Sequence, residues 1–254
     1  MNSGDMNGGK APAIAFRGVS RSFGGRAVLK DVSFEVAPGE AFCLLGRSGT
    51  GKSVTLKLTI GLVQPDAGAI CLEDNNIVGM DEDQLSKVRS RIGFLFQSAA
   101  LFDSMSLHDN LALPLKRLRE RKPYEEIEAI VQRNLEDVGL GKDGRKMPAE
   151  LSGGMRKRAG LARALMLNPG ILLVDEPVSG LDRVTASEID DLLLRIRKRD
   201  NTTMVIVTHD PREARRVGDR VGILDNGNLI AVGRMDELAA DPSALVRALV
   251  SEAE

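Results

Sequence analysis

The sequence predicts an α/β fold: a mainly parallel sheet with helices packed on its faces, interrupted by an inserted helical stretch. Three observations carry this. Short apolar runs ("AFCLL" at 41–45, "RIGFLFQ" at 91–97, "ILLVDE" at 171–176 and "TTMVIVTH" at 202–209) alternate with segments of helical spacing, and such alternation implies parallel pairing. From about 98 to 168 the apolar residues recur only at helical spacing, with no strand signal. With 254 residues, 43% of them hydrophobic, the chain can bury one large core with an insertion.

Taken in order, "MNSGDMNGGKAP" is polar and glycine-rich, so residues 1–12 are expected to be a frayed tail ahead of a folded unit over 13–254. "AIAFRGVSRSF" and "RAVLKDVSFEV" read as strands, closed by a Pro38-Gly39 turn. "AFCLL" is a fully apolar strand of the kind found inside a parallel sheet, and "VTLKLTIGL" is helical. "GAICLEDNNIVG" reads as two short paired strands and "RIGFLFQ" as a buried one. The insertion holds helical segments such as "SLHDNLALPLKRL" and "YEEIEAIVQRNLEDVGL". After it come the strand "ILLVDE", the helix "TASEIDDLLLRIRKR", the strand "TTMVIVTH", a closing hairpin "RVGILDNGNLIAVG" and a final helix "SALVRALVSEAE". Leu245, Val246 and Leu249 of that helix suit either a partner or the chain's own core.

The totals exclude some functions. A formal net charge of −1, the absence of tryptophan and the scarcity of aromatics argue against a nucleic-acid partner. Cys43 and Cys71 form no C-x-x-C, and Cys43 within "AFCLL" reads as a buried reduced thiol. No apolar run approaches the roughly 20 residues that span a bilayer, so a soluble chain on the cytosolic side is expected, free to dock on a membrane protein.

The chemistry concentrates in a few motifs. Gly46, Arg47, Ser48, Gly49, Thr50, Gly51, Lys52 and Ser53, "GRSGTGKS", fit G-x-x-x-x-G-K-[ST] between a strand and a helix. Glycines let the backbone wrap around phosphate with its amides inward, and the helix start adds its positive end. Lys52 is suited to the β- and γ-phosphates and the Ser53 hydroxyl to Mg2+. In "ILLVDE", Asp175 is placed to hold the metal and Glu176 to polarise a water beside the γ-phosphate. Gln97 and His209 each end a strand; parallel strands would bring both to the phosphates, Gln97 toward magnesium or water. His108, at a helix start, reads as structural.

"LSGGM" at 151–155 supplies a second anion site: Ser152 and the amides around Gly153 and Gly154 precede a helix. The "RKR" that follows puts three cations at the positive end of that helix, which calls for a negative neighbour, either acidic side chains or a nucleotide.

The order GRSGTGKS, Gln97, LSGG, ILLVDE, SGLD and His209 resembles the ATP-binding subunit of ABC transporters over about 14–235. The resemblance implies a P-loop NTPase (RecA-like) core with a mainly parallel sheet, an antiparallel β-subdomain and an α-helical subdomain inserted at about 98–168. It implies ATP and Mg2+ as ligands. Gly46–Ser53 would be the Walker A loop, Gln97 the Q-loop, Ser152–Gly154 the signature, Asp175 the Walker B aspartate, Glu176 the base, Asp182 the D-loop acid and His209 the switch histidine. Catalysis would rest on Glu176, His209 and Gln97, and metal binding on Ser53, Gln97 and Asp175. It also implies a head-to-tail homodimer in which one copy's Walker loop and the other's signature clasp one ATP. Phe23 stands where the adenine-stacking aromatic is commonly Tyr, and a phenyl ring still stacks. Arg183 follows "SGLD" where Pro is usual, which leaves that loop freer. Met155 replaces the usual Gln; serine and backbone amides make the phosphate contacts, so hydrolysis should survive.

"LSGGM" with "RKRAGLARAL", and "FLFQSAALFDSMSLHDNLALPL", look like the Mla/Mce branch, whose ATPases energise phospholipid transport in bacterial envelopes. The implied partners are an integral membrane permease (MlaE-like), a STAS-domain protein (MlaB-like) and an Mce substrate-binding protein (MlaD-like), with this subunit peripheral on the cytoplasmic face of the inner membrane. An importer of polar amino acids or another small solute is the alternative within transport. A soluble ABC-type ATPase acting on nucleic acid or ribosomes is the alternative outside it, weakened by the missing basic excess and coiled-coil insertion. Leu101 and Phe102, after Gln97, suit a permease contact or packing within the insertion. The basic "KRLRERK" at 116–122 suits lipid headgroups or a solvated helix end.

Overall fold

The computed structural model describes residues 11–118 and 122–251. Residues 1–10 of the expected tail, 119–121 of the basic "KRLRERK" stretch and the last three residues of the final helix lie outside the described residues.

The chain runs β1 (Ile14–Phe23), β2 (Arg26–Val36), β3 (Ala41–Leu45), α1 (Lys52–Thr59), β4 (Ala67–Leu72), β5 (Asn75–Asn76), α2 (Glu82–Arg89) and β6 (Ile92–Leu95). Helices α3 (Leu107–Lys116), α4 (Tyr124–Asp137) and α5 (Gly153–Ala164) follow, with a 3-10 turn at Pro148–Glu150. Then come β7 (Ile171–Asp175), α6 (Arg183–Asp200), β8 (Thr203–Thr208), α7 (Pro211–Val217), β9 (Arg220–Asp225), β10 (Asn228–Gly233), α8 (Met235–Ala239) and α9 (Ala244–Val250).

Among the described residues ten strands form two sheets. One has the order β10-β9-β3-β8-β7-β6, parallel from β9 to β6, with β10 antiparallel at the edge. The other is antiparallel, β2-β1-β4-β5. Every residue of β3 and β8 is buried, as expected of strands covered on both faces. Successive side chains of a strand point to opposite faces. Accordingly Ala41, Cys43 and Leu45 join one apolar cluster with α3–α6 and α9, while Phe42 and Leu44 join another with α1 and the antiparallel sheet. One face of the parallel sheet is therefore covered by helices, and the other is shared between α1 and a second sheet. Stacked rings make that second junction: Phe16 on Phe34 at 4.6 Å and Phe34 on Phe42 at 5.0 Å.

Among the described residues no strand lies between β6 and β7, so the helical stretch interrupts the sheet as its periodicity predicted. Val246 and Val250 of α9 are buried in the helical-side core, so this helix closes the chain's own domain, leaving Leu245 exposed. The β9–β10 turn at Asn226-Gly227 has positive φ at both residues, the geometry that matches strand twist in a two-residue hairpin. Gly227 accepts from Lys30 N at 2.8 Å, and a Cβ there would meet the Val28 carbonyl at 2.7 Å, which ties the two sheets together. Three helices, α2, α7 and α8, escaped the sequence reading. Asp81 and Gln84 form a reciprocal capping box for α2, and Asp210 caps α7 ahead of Pro211.

Candidate functional site

The parallel register assembles the site. Leu45 pairs with Thr208, Asp175 with Val207, and Leu95 with Val174. The carboxyl ends of β3, β8, β7 and β6 thus lie along one edge of the sheet, where open α/β sheets bind ligands. That edge carries a cleft of about 400 Å³ lined by Ser48, Gly49, Gly51, Lys52, Ser53, Gln97, Glu176, Ser179 and His209, with Val28 and Val54.

The loop between β3 and α1 depends on its glycines. A Cβ at Gly46 would stand 2.3 Å from the Leu224 carbonyl, and one at Gly51 would meet Leu29 and the Val28 carbonyl within 2.9 Å. Gly51 has φ 107° and Gly49 φ 80°, and nothing lies within 4 Å of a Cβ at Gly49, which leaves its backbone open to the cleft. Thr50 donates to the Arg47 carbonyl at 2.9 Å and fixes the turn; Arg47 itself is exposed.

Lys52 is 4% exposed, and its Nζ donates to the Gly46 and Arg47 carbonyls at 2.7 and 3.0 Å. Glu176 Oε1 lies 3.6 Å from the same ammonium. Burial pulls the Lys52 pKa below the ordinary lysine value, and the Glu176 and Asp175 charges oppose that shift. Ser53 donates to Asp175 Oδ1 at 2.9 Å. Burial raises the Asp175 carboxyl, and the Ser53 hydrogen bond opposes it.

Glu176 is held at every polar group. Its N–H donates to the Val207 carbonyl at 2.9 Å, its carbonyl accepts from Lys157 Nζ at 2.7 Å, and Oε2 lies 2.7 Å from His209 Nδ1. Its φ is 46°, a left-handed conformation that costs a residue with a side chain about 1–2 kcal/mol. His209 is half exposed, whereas the Glu176 side chain is 12% exposed.

The cleft fits a magnesium-bound triphosphate. It offers inward amides, a helix start at Lys52, one ammonium, and the hydroxyl–carboxylate pair Ser53–Asp175. Among the described residues no three His, Cys, Asp or Glu side chains gather as a metal cage. Mg2+ matches the smaller set, because it usually binds through one or two protein ligands together with substrate phosphates.

The signature-like residues lie elsewhere. Ser152 caps α5, its Oγ accepting from Met155 N at 3.2 Å, and neither it nor Gly153 or Gly154 lines the Lys52 cleft. A Cβ at Gly154 would stand 2.4 Å from Thr185, so glycine permits the close α5–α6 approach. Asp182 caps α6 through the Val184 and Thr185 amides, both at 3.0 Å. Phe23 is 44% exposed and outside the cleft lining, with the Arg21 guanidinium 4.6 Å from its ring centre. Met155 is half-buried against the helical-side core, which accounts for an apolar side chain at this place.

The three cations of "RKR" find oxygen partners within the chain. Arg156 donates to the Leu151 carbonyl at 2.5 Å, Lys157 to the Glu176 carbonyl, and Arg158 lies 3.8 Å from Glu188. His108 pairs with Glu128 at 2.9 Å, in keeping with its structural reading. After Gln97, Ala99 and Ala100 adopt positive φ, and Arg163 holds both carbonyls. Buried Asn110 ties this segment down, accepting from Phe102 N and donating to the carbonyls of Phe102, Met105 and Ser106. Phe102 itself is 50% exposed.

Sequence reasoning missed Ser179 and Lys157. Ser179 sits just ahead of the "GLD" of a motif read only for its aspartate. Lys157 was visible as a cation in the wrong part of a helix, but its partner was not.

Comparison with known proteins gives a consistent picture. The family model described as ABC transporter matches residues 29–179. The "Probable ribonucleotide transport ATP-binding protein mkl" of Mycobacterium leprae is 44% identical over 235 residues, covering 92% of this chain and 67% of the relative. The "Methionine import ATP-binding protein MetN" of Corynebacterium efficiens is 38% identical over 92% of this chain and 66% of its own length. This chain thus spans about two thirds of the length of these curated relatives. Among solved structures, the dimeric post-hydrolysis state of the ATP-binding cassette MJ0796 bound to ADP and Pi superposes with a TM-score of 0.80. It is 32% identical and covers 87% of this chain and 98% of that one.

Proposed function

Because the chain belongs to the ABC transporter family, whose cassettes bind and hydrolyse ATP with Mg2+, we propose that it is the motor subunit of a bacterial envelope phospholipid transporter of the Mla/Mce kind. The observation that carries the motor reading is the convergence of Lys52, Ser53, Asp175, Glu176 and His209 on one cleft.

In this reading Lys52 and the amides of Gly46–Ser53 hold the β- and γ-phosphates, and Phe23 stacks on the adenine. Ser53, Asp175 and Gln97 would hold Mg2+, which would supply charge neutralisation on the phosphates. Glu176 takes the proton of a water whose oxygen attacks the γ-phosphorus. The bond to the β–γ bridging oxygen breaks, and ADP and phosphate leave. His209, bonded to Glu176 Oε2, steadies that carboxylate beside the γ-phosphate. Ser152, Gly153 and Gly154 of a second copy complete the site from the far side, with Asp182 at the same junction. The similar cassette MJ0796, a dimer bound to ADP and Pi, supports this sandwich. Closing would move the helical insertion and with it a permease docked near exposed Phe102.

In this reading the subunit acts through an integral partner, peripheral on the cytoplasmic face of the inner membrane; among the described residues no helix is long and apolar enough to cross a membrane. An MlaE-like permease, an MlaB-like STAS protein and an MlaD-like Mce protein are the expected companions. Their support is the pair of segments "LSGGMRKRAGLARAL" and "FLFQSAALFDSMSLHDNLALPL". The methionine-import relatives favour a second reading, an importer of a small polar solute.

Purifying the complex from native membranes separates the two. Bound phospholipid with a STAS-domain partner is the expected result. A solute-binding partner without lipid would overturn the phospholipid reading and leave the motor reading standing.

A further inference from the structure

We propose that Lys157 is a positioning residue for hydrolysis, setting the turn that carries Glu176 according to where the signature helix stands. The inference rests on the reading of Glu176 as the base. Lys157 lies in the opening turns of α5, whose cap is Ser152, and it is 6% exposed. Its Nζ reaches across to the Glu176 carbonyl at 2.7 Å.

Three features separate this contact from ordinary satisfaction of a buried carbonyl. The carbonyl belongs to a residue with φ 46°, whose conformation relaxes unless its neighbours hold it. The other anchors of Glu176 come from different elements: Val207 of β8 on its N–H, and Lys52 and His209 on its carboxylate. Among the described residues, Lys157 is the one side chain of the signature helix that hydrogen-bonds to Glu176. Its Nζ also lies at depth beside the acidic side chains of Glu213, Asp175 and Glu176, so a neutral side chain of equal length would take a cation from that cluster and leave the Glu176 carbonyl only the longer bond from Ser179 N at 3.3 Å.

In a two-copy sandwich Ser152 serves the partner's nucleotide while Glu176 serves its own. Lys157 therefore places both on one lever, so that docking of the signature and alignment of the base are linked through a single side chain.

The test compares Lys157→Met and Lys157→Arg in the full chain, with Glu176→Gln as reference. Two readouts are used: MgATP turnover and binding, and amide hydrogen exchange of the 175–179 turn without nucleotide. Lys157→Met is expected to lose about tenfold or more in kcat, with KM and MgATP affinity within about twofold. Exchange in the turn should rise while that in α5 stays as it was, and Lys157→Arg should restore most of both. Turnover within twofold of the parent, unchanged exchange, or a matching loss of MgATP affinity would each overturn the proposal. An inactive Glu176→Gln beside a fully active Lys157→Met sinks the role of Lys157 alone, whereas normal turnover in Glu176→Gln removes the base on which it rests.

Discussion

Ser53 donates its hydroxyl to Asp175 Oδ1 at 2.9 Å, joining the first turn of α1 to the last residue of β7. The pair presents one hydroxyl and one carboxylate side by side, the set expected around a magnesium ion that keeps most of its ligands from phosphate and water. Ser53→Ala should therefore raise the Mg2+ concentration for half-maximal hydrolysis by about tenfold or more, while stability falls by only about 1 kcal/mol for the lost hydrogen bond. A magnesium titration of turnover checks it, and an unchanged half-saturation point would remove Ser53 from the metal site.

Glu176 and Lys52 should separate binding from chemistry. Glu176→Gln keeps the size of the side chain but cannot take a proton from water, so it is expected to bind MgATP normally and hydrolyse about a hundredfold more slowly. Lys52→Ala removes the buried ammonium beside the glycine loop, and nucleotide affinity should fall by about tenfold or more. Equilibrium binding and single-turnover hydrolysis on the two variants distinguish the roles. Turnover in Glu176→Gln near the parent's would place the base elsewhere.

What could be seen in the sequence was what is local or periodic. The glycine loop, the apolar strands and the acids of "ILLVDE" each follow from spacing within a few residues, and parallel strand ends then bring Gln97, Glu176 and His209 to one edge. The cap Asp81–Gln84 was equally local and was simply passed over. Lys157 and Glu176 are different: they lie 19 positions apart with strand β7 between them, and nothing in either neighbourhood names the other. The burial of Glu213 likewise depends on how α7 seats against β8 and α6. The proposed pairing with the signature of a second copy lies beyond one chain's contacts, and within this chain Asp182 is occupied in capping α6.

Met155 packs half-buried against the core, and the groups of "LSGG" proposed to face phosphate are a hydroxyl and backbone amides. Met155→Gln should accordingly keep turnover within about tenfold, roughly 1.4 kcal/mol in barrier. It should also lower stability by about 1 kcal/mol, because an amide replaces an apolar contact. Denaturant unfolding and steady-state hydrolysis check the two parts. A complete loss of turnover at full stability would assign the thioether a part in the chemistry.

Glu213 offers the clearest pH signature. It is 3% exposed on α7, and its carboxylate accepts from Thr208 Oγ1 at 2.5 Å. Burial pushes its pKa up to about 8, the Thr208 hydrogen bond opposes this, and Asp190, Asp210 and Glu176 add to the rise. Unfolded, the same carboxyl titrates near 4.5, so the folded chain binds its proton more tightly. The stability this gives is complete below about pH 4.5 and is lost as pH climbs through about 8. The full swing is on the order of 5 kcal/mol. Asp190, raised to about 7 by burial, slopes the same way. Glu213→Gln keeps the shape and removes the titration, so its unfolding free energy should fall by roughly one proton's worth less between pH 5.5 and 8.5, and at pH 8.5 it should exceed the parent's. Denaturant midpoints at the two pH values measure the difference. An identical pH slope in parent and variant would mean that Glu213 is already ionised in the folded chain, with a partner able to hold its charge.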